Sequence, residues 1–401
     1  MRRNVKQNIR LLEIQSILTS AIFVIPVIVP YYRDVIGITF RDFLIGEAAF
    51  AFVVLVLEVP SGWLSDIWKR KYVIALGTIF DLLGFTILLF AENLFMAILA
   101  QSIIGVAISL FSGTNTAILY DSLIESGEEK SFGALEGRRN GFGLYAIGIA
   151  SVIGGFIYAI HPQLPVYATI LAQLLCLCSA LLMVEPERHK SAVQGHPVAD
   201  IASTMRYALH GHIEVAFILL FSAALFTGTK LNMWMQQPYY MELGVEEFWF
   251  GWLMAAGYLT GGGASHFSHK LFAGLNNLKA LAIVWALAIF ACTGAAFFVG
   301  YHGILMLMLG GSFIFGAANP RVREAINIRV GSERRATILS AASLLQQMAF
   351  IPLGVIIGTI VESRGIQCGL YGVSFWLALS GILLCLWAAF RNKKRPHKDL
   401  R

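Results

Sequence analysis

The sequence predicts an all-α membrane protein, with twelve transmembrane helices arranged as two six-helix bundles. Three observations predict it. The 401-residue chain is 57% hydrophobic and 13% charged, whereas a soluble domain carries about 25% charged residues. Apolar runs of the roughly 20 residues a helix needs to cross hydrocarbon recur from end to end. Lysine and arginine collect in alternate connections between those runs.

The first segment, 11–32, follows the basic start Met1-Arg2-Arg3-Asn4-Val5-Lys6. No small-residue cleavage site comes after it, so it reads as a retained helix. The second, 42–64, and the third, 72–91, are joined by a short basic hairpin around Lys69-Arg70-Lys71. The fourth is 94–120. The fifth, 138–160, opens on Arg138-Arg139, and the sixth, 165–184, runs into the longest polar stretch, Glu185 to Gly211. That stretch is too short for a folded domain. It divides the chain into an N-terminal bundle (1–184), a linker (185–211) and a C-terminal bundle with a basic tail (212–401). The remaining segments are 212–236, 246–267, 279–299, 303–320, 336–361 and 369–390.

With the N-terminus in the cytoplasm, 26 of the 30 Lys and Arg residues lie at cytoplasmic ends. Arg33, Arg41 and Arg364 lie outside, and Lys230 alone remains within a segment. One miscounted segment would invert every later loop and destroy this asymmetry, so both termini are expected in the cytoplasm. Of the five cysteines, Cys176, Cys178, Cys292 and Cys385 sit in apolar segments and Cys368 in a loop. This pattern suggests neither a disulfide framework nor a metal site.

The halves repeat weakly. At a shift of 200 residues, Gly62-x-x-Ser65-Asp66-x-x-x-Arg70 falls on Gly262-x-x-Ser265-His266-x-x-x-Lys270, and Asp121 falls on Arg321. Arg138-Arg139 before the fifth segment parallels Arg334-Arg335 before the eleventh. Together these matches suggest two bundles related by parallel duplication.

Gly62 and Asp66 are one helical turn apart and share a face. Gly62 admits a close backbone, and Asp66 can reach a neighbouring helix end. The run Gly62-x-x-x-Asp66-x-x-x-Arg70-Lys71, between the second and third segments, resembles the signature loop of the major facilitator superfamily; Lys69 stands where that family usually has glycine. The resemblance implies that Asp66 latches the two halves, with the start of the eleventh helix and Arg334 or Arg335 as partners. Asp121 would close the network through Arg70 or Arg138. Two features of the family's proton-coupled drug exporters are absent. Gln101 replaces the arginine four residues before Gly105, and Ala150-Ser151 replace Gly-Pro ahead of Gly154-Gly155.

Enzyme signatures are missing: there is no Gly-x-Ser-x-Gly elbow, phosphate loop or His-Glu-x-x-His. No cofactor is expected, and no catalytic or metal-binding residue is assigned. The basic balance has no interleaved aromatics that would suggest nucleic acid. Polar residues inside a bilayer are costly and tend to face a cavity or a partner. The resemblance implies that the first, fourth, seventh and tenth segments line the transport path. Those segments offer Gln15 and Thr19; Gln101, Asn115 and Tyr120; Lys230, Asn232, Trp234, Gln236 and Gln237; and Asn319. Gln346 of the eleventh joins them. Lys230 has three open roles: snorkelling outward, neutralising Asp81, Glu47 or Glu13, or facing the cavity to bind an anionic group.

The first functional reading is a secondary active transporter that works by alternating access and exports an amphipathic organic molecule, drug-like or siderophore-like. The second is uptake of an organic anion or metal chelate. A receptor or enzyme on the same fold is third. The partners implied are a small-molecule substrate, the lipid bilayer and a coupling ion such as the proton. Short loops favour a bacterial inner membrane.

Overall fold

The computed structural model describes residues 2–187, 213–330 and 332–393. The expected linker beyond Glu187, most of the basic tail and the side chains of Arg334 and Arg335 lie outside the described residues. Among the described residues, eleven helices are long and apolar enough to cross a bilayer. In order, the spans are Lys6–Ile36, Phe40–Ile67, Arg70–Leu89, Leu94–Ser126, Glu129–Ile160, Leu164–Leu182, Ile213–Glu242, then Asn277–Phe297, Tyr301–Arg329, Ser340–Arg364 and Ile366–Arg391. The helix Glu247–His266 lies between the seventh and ninth and completes the twelve. It is rich in glycine, and those glycines have packing uses described below.

Three spans that read as continuous are interrupted. The first runs as helix only through Ser20 and then loosens around Pro26. Proline supplies no N–H, and the chain ahead of it leaves the helical ladder. The Phe23 N–H freed there donates to Thr169 Oγ1 of the sixth span at 3.0 Å, so no buried donor is stranded. The fourth span breaks at Ser112-Gly113. The tenth carries a π-turn, Leu309–Phe313, around Gly310-Gly311. By contrast, Pro238 does not break the seventh span, which is one helix from Ile213 to Glu242. Lys230 is therefore 17 residues from one end and 12 from the other, at the level of the hydrocarbon.

Packing divides the chain into two units: residues 1–195 with 240–258, and residues 196–239 with 259–401. The end of the seventh span and the start of the eighth thus group with the first unit, through a close crossing on the fifth. In the first unit, Leu11, Leu12, Ile74, Ala75, Ile118, Leu119 and Leu123 form a core near the basic end. Beside it the buried Asn8 donates to Ser122 Oγ at 3.0 Å and Val184 O at 2.6 Å, and accepts from Val184 N at 2.9 Å. Large side chains such as Phe95 and Leu171 remain exposed. Against lipid tails such exposure costs nothing, so close packing and polar pairing specify the fold instead.

Candidate substrate site and gates

In the second unit, Lys230, Trp234 and Gln237 lie at helical spacings of four and seven and share a face of the seventh span. Lys230 faces the eleventh span. Lys230 Nζ sits 3.8 Å from the centroid of the Phe350 ring. Thr227 Oγ1 donates to Gln346 O at 3.2 Å and fixes the register of the two helices. Phe350, Trp234 and Gln237 are buried. Gln347 Oε1 is also buried and accepts no hydrogen bond. A lysine at hydrocarbon depth costs roughly 2.5–3.5 kcal/mol on insertion scales. A desolvated cation–π contact returns about 2 kcal/mol of that. The ring thus offsets much of the cost of the buried ammonium.

Asn232 and Gln236, which we expected beside Lys230, are not on that face. At 100° per residue they point to the opposite side of the helix. Asn232 Nδ2 donates to Cys292 Sγ at 3.3 Å, and Gln236 Nε2 donates to Leu307 O at 3.3 Å. Both side chains fill the space left by the two glycines of the tenth-span π-turn. A Cβ on Gly310 would lie 2.8 Å from Asn232 Nδ2, and one on Gly311 would lie 2.9 Å from Gln236 Nε2. Their polar groups thus serve the junction of the seventh, ninth and tenth spans. Asn319 is held by Arg323 Nε at 3.2 Å, one turn along its own helix.

In the first unit, the expected path residues are dispersed. Gln15 is buried with Nε2 unbonded. Thr19 turns its hydroxyl back to Gln15 O at 2.8 Å. Gln101 is buried against Gly46. Asn115 Oδ1 is buried and unbonded. Tyr120 is exposed and packs edge-on against Phe132, with ring centroids 5.3 Å apart. Asp81 is buried. Glu47 is also buried. Glu13 pairs with Arg138, whose Nε donates to Glu13 Oε1 at 2.6 Å.

At the basic end of the first unit, Arg70 Nη1 pairs with Asp121 and also donates to Ala117 O at 3.2 Å. Glu185 was expected only as linker. Its carboxylate instead accepts from Arg70 N at 2.9 Å and Lys71 N at 3.0 Å, capping the start of the third span. An anion there meets unpaired N–H groups and the positive helix end. The second unit has a counterpart at the position 200 residues on. Arg321 is buried and donates to Ser268 O at 3.1 Å and to Asn277 Oδ1 at 3.2 Å. The cation opens the third span in the first unit and lies within the tenth span in the second. The expectation that Gly62 admits a close backbone is not met. Among the described residues, nothing comes within 4 Å of the place its side chain would occupy, and the same holds for Gly262. Both glycines lie on helix faces that stand clear of their neighbours.

At the opposite end, the sequence reading missed a polar cluster. Arg33 binds Asp34 through Nε at 2.5 Å and Nη2 at 3.0 Å, and its Nη2 lies 3.6 Å from Glu247 Oε1. Tyr158 donates to Asp34 Oδ2 at 3.0 Å. Arg33 had stood out only as an exception to the charge asymmetry. Next to this cluster the fifth and eighth spans cross backbone to backbone. A Cβ on Gly155 would lie 2.8 Å from Phe248 O, and one on Gly251 would overlap Ser151 O. Small residues permit such approach between membrane helices. Farther along the eighth span, Gly261 meets Ser312 and Gly316 of the tenth in the same way.

The family model of the Major Facilitator Superfamily matches residues 14–354. No curated protein sequence matches the chain. Among solved structures, a point mutant of the nucleoside transporter NupG superposes with a TM-score of 0.77 at 14% identity, covering 96% of this chain and 99% of that one. A bacterial homologue of the human lysosomal transporter Spinster, in an inward-facing and unoccupied conformation, gives a TM-score of 0.70 at 15% identity, covering 96% of each chain. At such identities the likeness is one of fold. With the family match over residues 14–354 and twelve membrane helices, the chain belongs to the Major Facilitator Superfamily of membrane transporters.

Proposed function

We propose that the protein is a secondary active transporter working by alternating access, and that it exports an amphipathic organic molecule bearing an anionic or acceptor group. The observation that carries this reading is the Lys230 ammonium on the Phe350 ring, at mid-span, beside Trp234 and Gln237. An aromatic wall and one cation suit a ligand that is largely apolar with one charged end. Flux into sealed proteoliposomes tests it against a panel of drug-like and siderophore-like acids, metal chelates, nucleosides and neutral analogues, with and without an imposed pH gradient. Gradient-driven flux of an amphipathic acid is expected. Flux confined to neutral, polar solutes would overturn the substrate class, and turnover without a gradient would overturn the mechanism.

In this reading both termini are cytoplasmic and the membrane is a bacterial inner membrane. Cys368 is partly exposed near the start of the twelfth span. With the other cysteines replaced, an impermeant thiol reagent is expected to label it from outside intact cells. Labelling only after the cells are opened would reverse the topology.

The basic-end residues Gly62, Asp66, Arg70, Asp121, Arg138, Arg334 and Arg335 act in this proposal as the cytoplasmic gate. Arg70 and Asp121 form a braced pair next to the exposed Asp66. Asp66→Asn is expected to slow flux severalfold while thermal unfolding and membrane insertion stay normal. Wild-type flux in Asp66→Asn removes it from the gate.

A further inference from the structure

On the second unit, the seventh, eleventh and twelfth spans enclose a groove of about 410 Å³. Leu220, Ala224, Met348, Leu379, Leu383 and Leu384 are among its walls. Met348, Leu379 and Leu383 are exposed, so the groove opens on the apolar surface of the bundle. The polar atoms along it are already used. Trp376 Nε1 donates to Ala224 O at 3.1 Å, and Ser380 Oγ donates to Trp376 O at 2.6 Å. What remains exposed is hydrocarbon, and in a bilayer the neighbouring hydrocarbon is a lipid chain.

The groove has a charged end. Along the twelfth span, Trp376, Ser380, Leu383, Trp387 and Arg391 recur every three to four residues and form one stripe. The Arg391 guanidinium lies over the Trp387 ring, 5.1 Å from its centroid. It lies seven residues beyond Leu384, about 10 Å at 1.5 Å per residue. The apolar span ends at Arg391, which puts it near the membrane surface, and Lys394 and Arg395 follow in the sequence. A guanidinium presents its N–H donors as a planar fork, a geometry that matches a phosphate.

We infer that this groove is a binding site for one anionic phospholipid of the leaflet on the basic side, with an acyl chain between the three spans and its phosphate at Arg391. Nothing in the proposed transport reaction uses these residues. The inference rests only on the chain lying in a bilayer.

The test is mass spectrometry of the purified full-length protein in mild detergent, after exchange into mixed micelles of phosphatidylglycerol and phosphatidylethanolamine. One retained phosphatidylglycerol per chain is expected. Arg391→Glu should cut its retention by roughly fivefold or more, the size of one basic residue at an anionic surface, with little effect on phosphatidylethanolamine. Ala349→Trp, which fills the groove, should release both lipids. Thermal unfolding of each variant checks that it is folded, and Arg391→Lys should recover part of the retention. Equal retention of the two lipids by the wild type would overturn the headgroup assignment. Undiminished phosphatidylglycerol in folded Arg391→Glu and Ala349→Trp would overturn the site, as would a mass corresponding to a second copy of the chain in place of lipid.

Discussion

Replacing Lys230 by alanine or glutamine is expected to abolish transport of the true substrate while leaving insertion and folding intact. The seventh span packs through Asn232, Gln236 and Tyr239 on its other side, where Tyr239 reaches Ala295 O at 3.2 Å. Its position therefore does not depend on the ammonium. A hydrogen bond to a charged group contributes about 1.5–3 kcal/mol, so binding measured by titration calorimetry should weaken by roughly tenfold to a hundredfold. Lys230→Arg separates two mechanisms. If charge alone is needed, binding and flux persist in part; if the lysine must lose its proton during transport, binding persists and flux disappears. Full transport by Lys230→Ala from mildly acidic to mildly alkaline pH would remove this residue from the site.

The second large effect is expected at the crossing of the fifth and eighth spans. Gly251→Leu puts a side chain where Ser151 O already lies, and where Val152 Cα would be 3.1 Å from the new Cβ. Backbone cannot yield as a side-chain tip does, so the helices must part. Overpacking of this kind costs about 1–3 kcal/mol. The nearby Arg33, Asp34, Tyr158 and Glu247 cluster would loosen with it. Thermal unfolding should shift downward, and flux should fall because this end no longer seals. Gly262→Ala is the control, since its Cβ meets open space. Wild-type stability and flux in Gly251→Leu would show that the crossing is not tight in the working protein.

What the sequence made legible follows from what charge and apolarity alone determine. Lys230 stood out because every other Lys and Arg found a segment end. The hairpin around Arg70 was visible because two apolar runs almost touch. Periodicity also places Asn232 and Gln236, since two residues' separation on a helix is 200° and both turn away from Lys230. Other features depend on partners far away in sequence. The break after Ser20 is held by Thr169, and the cap on Arg70 and Lys71 comes from Glu185. The π-turn at Gly310-Gly311 reflects the volume of Asn232, some 80 residues earlier. No local pattern announces such pairings. The eighth span shows the same limit. Its glycines look like a weak membrane segment until the fifth and tenth spans are seen to need them.

Binding of a transported acid and of its analogue lacking the acidic group, measured on wild type and on Lys230→Ala, tests whether Lys230 recognises the charged or acceptor group of the substrate. The wild type should favour the acid by roughly tenfold or more, as a charge-assisted hydrogen bond implies, and Lys230→Ala should bind the two compounds alike. An unchanged preference for the acid in Lys230→Ala would contradict the claim.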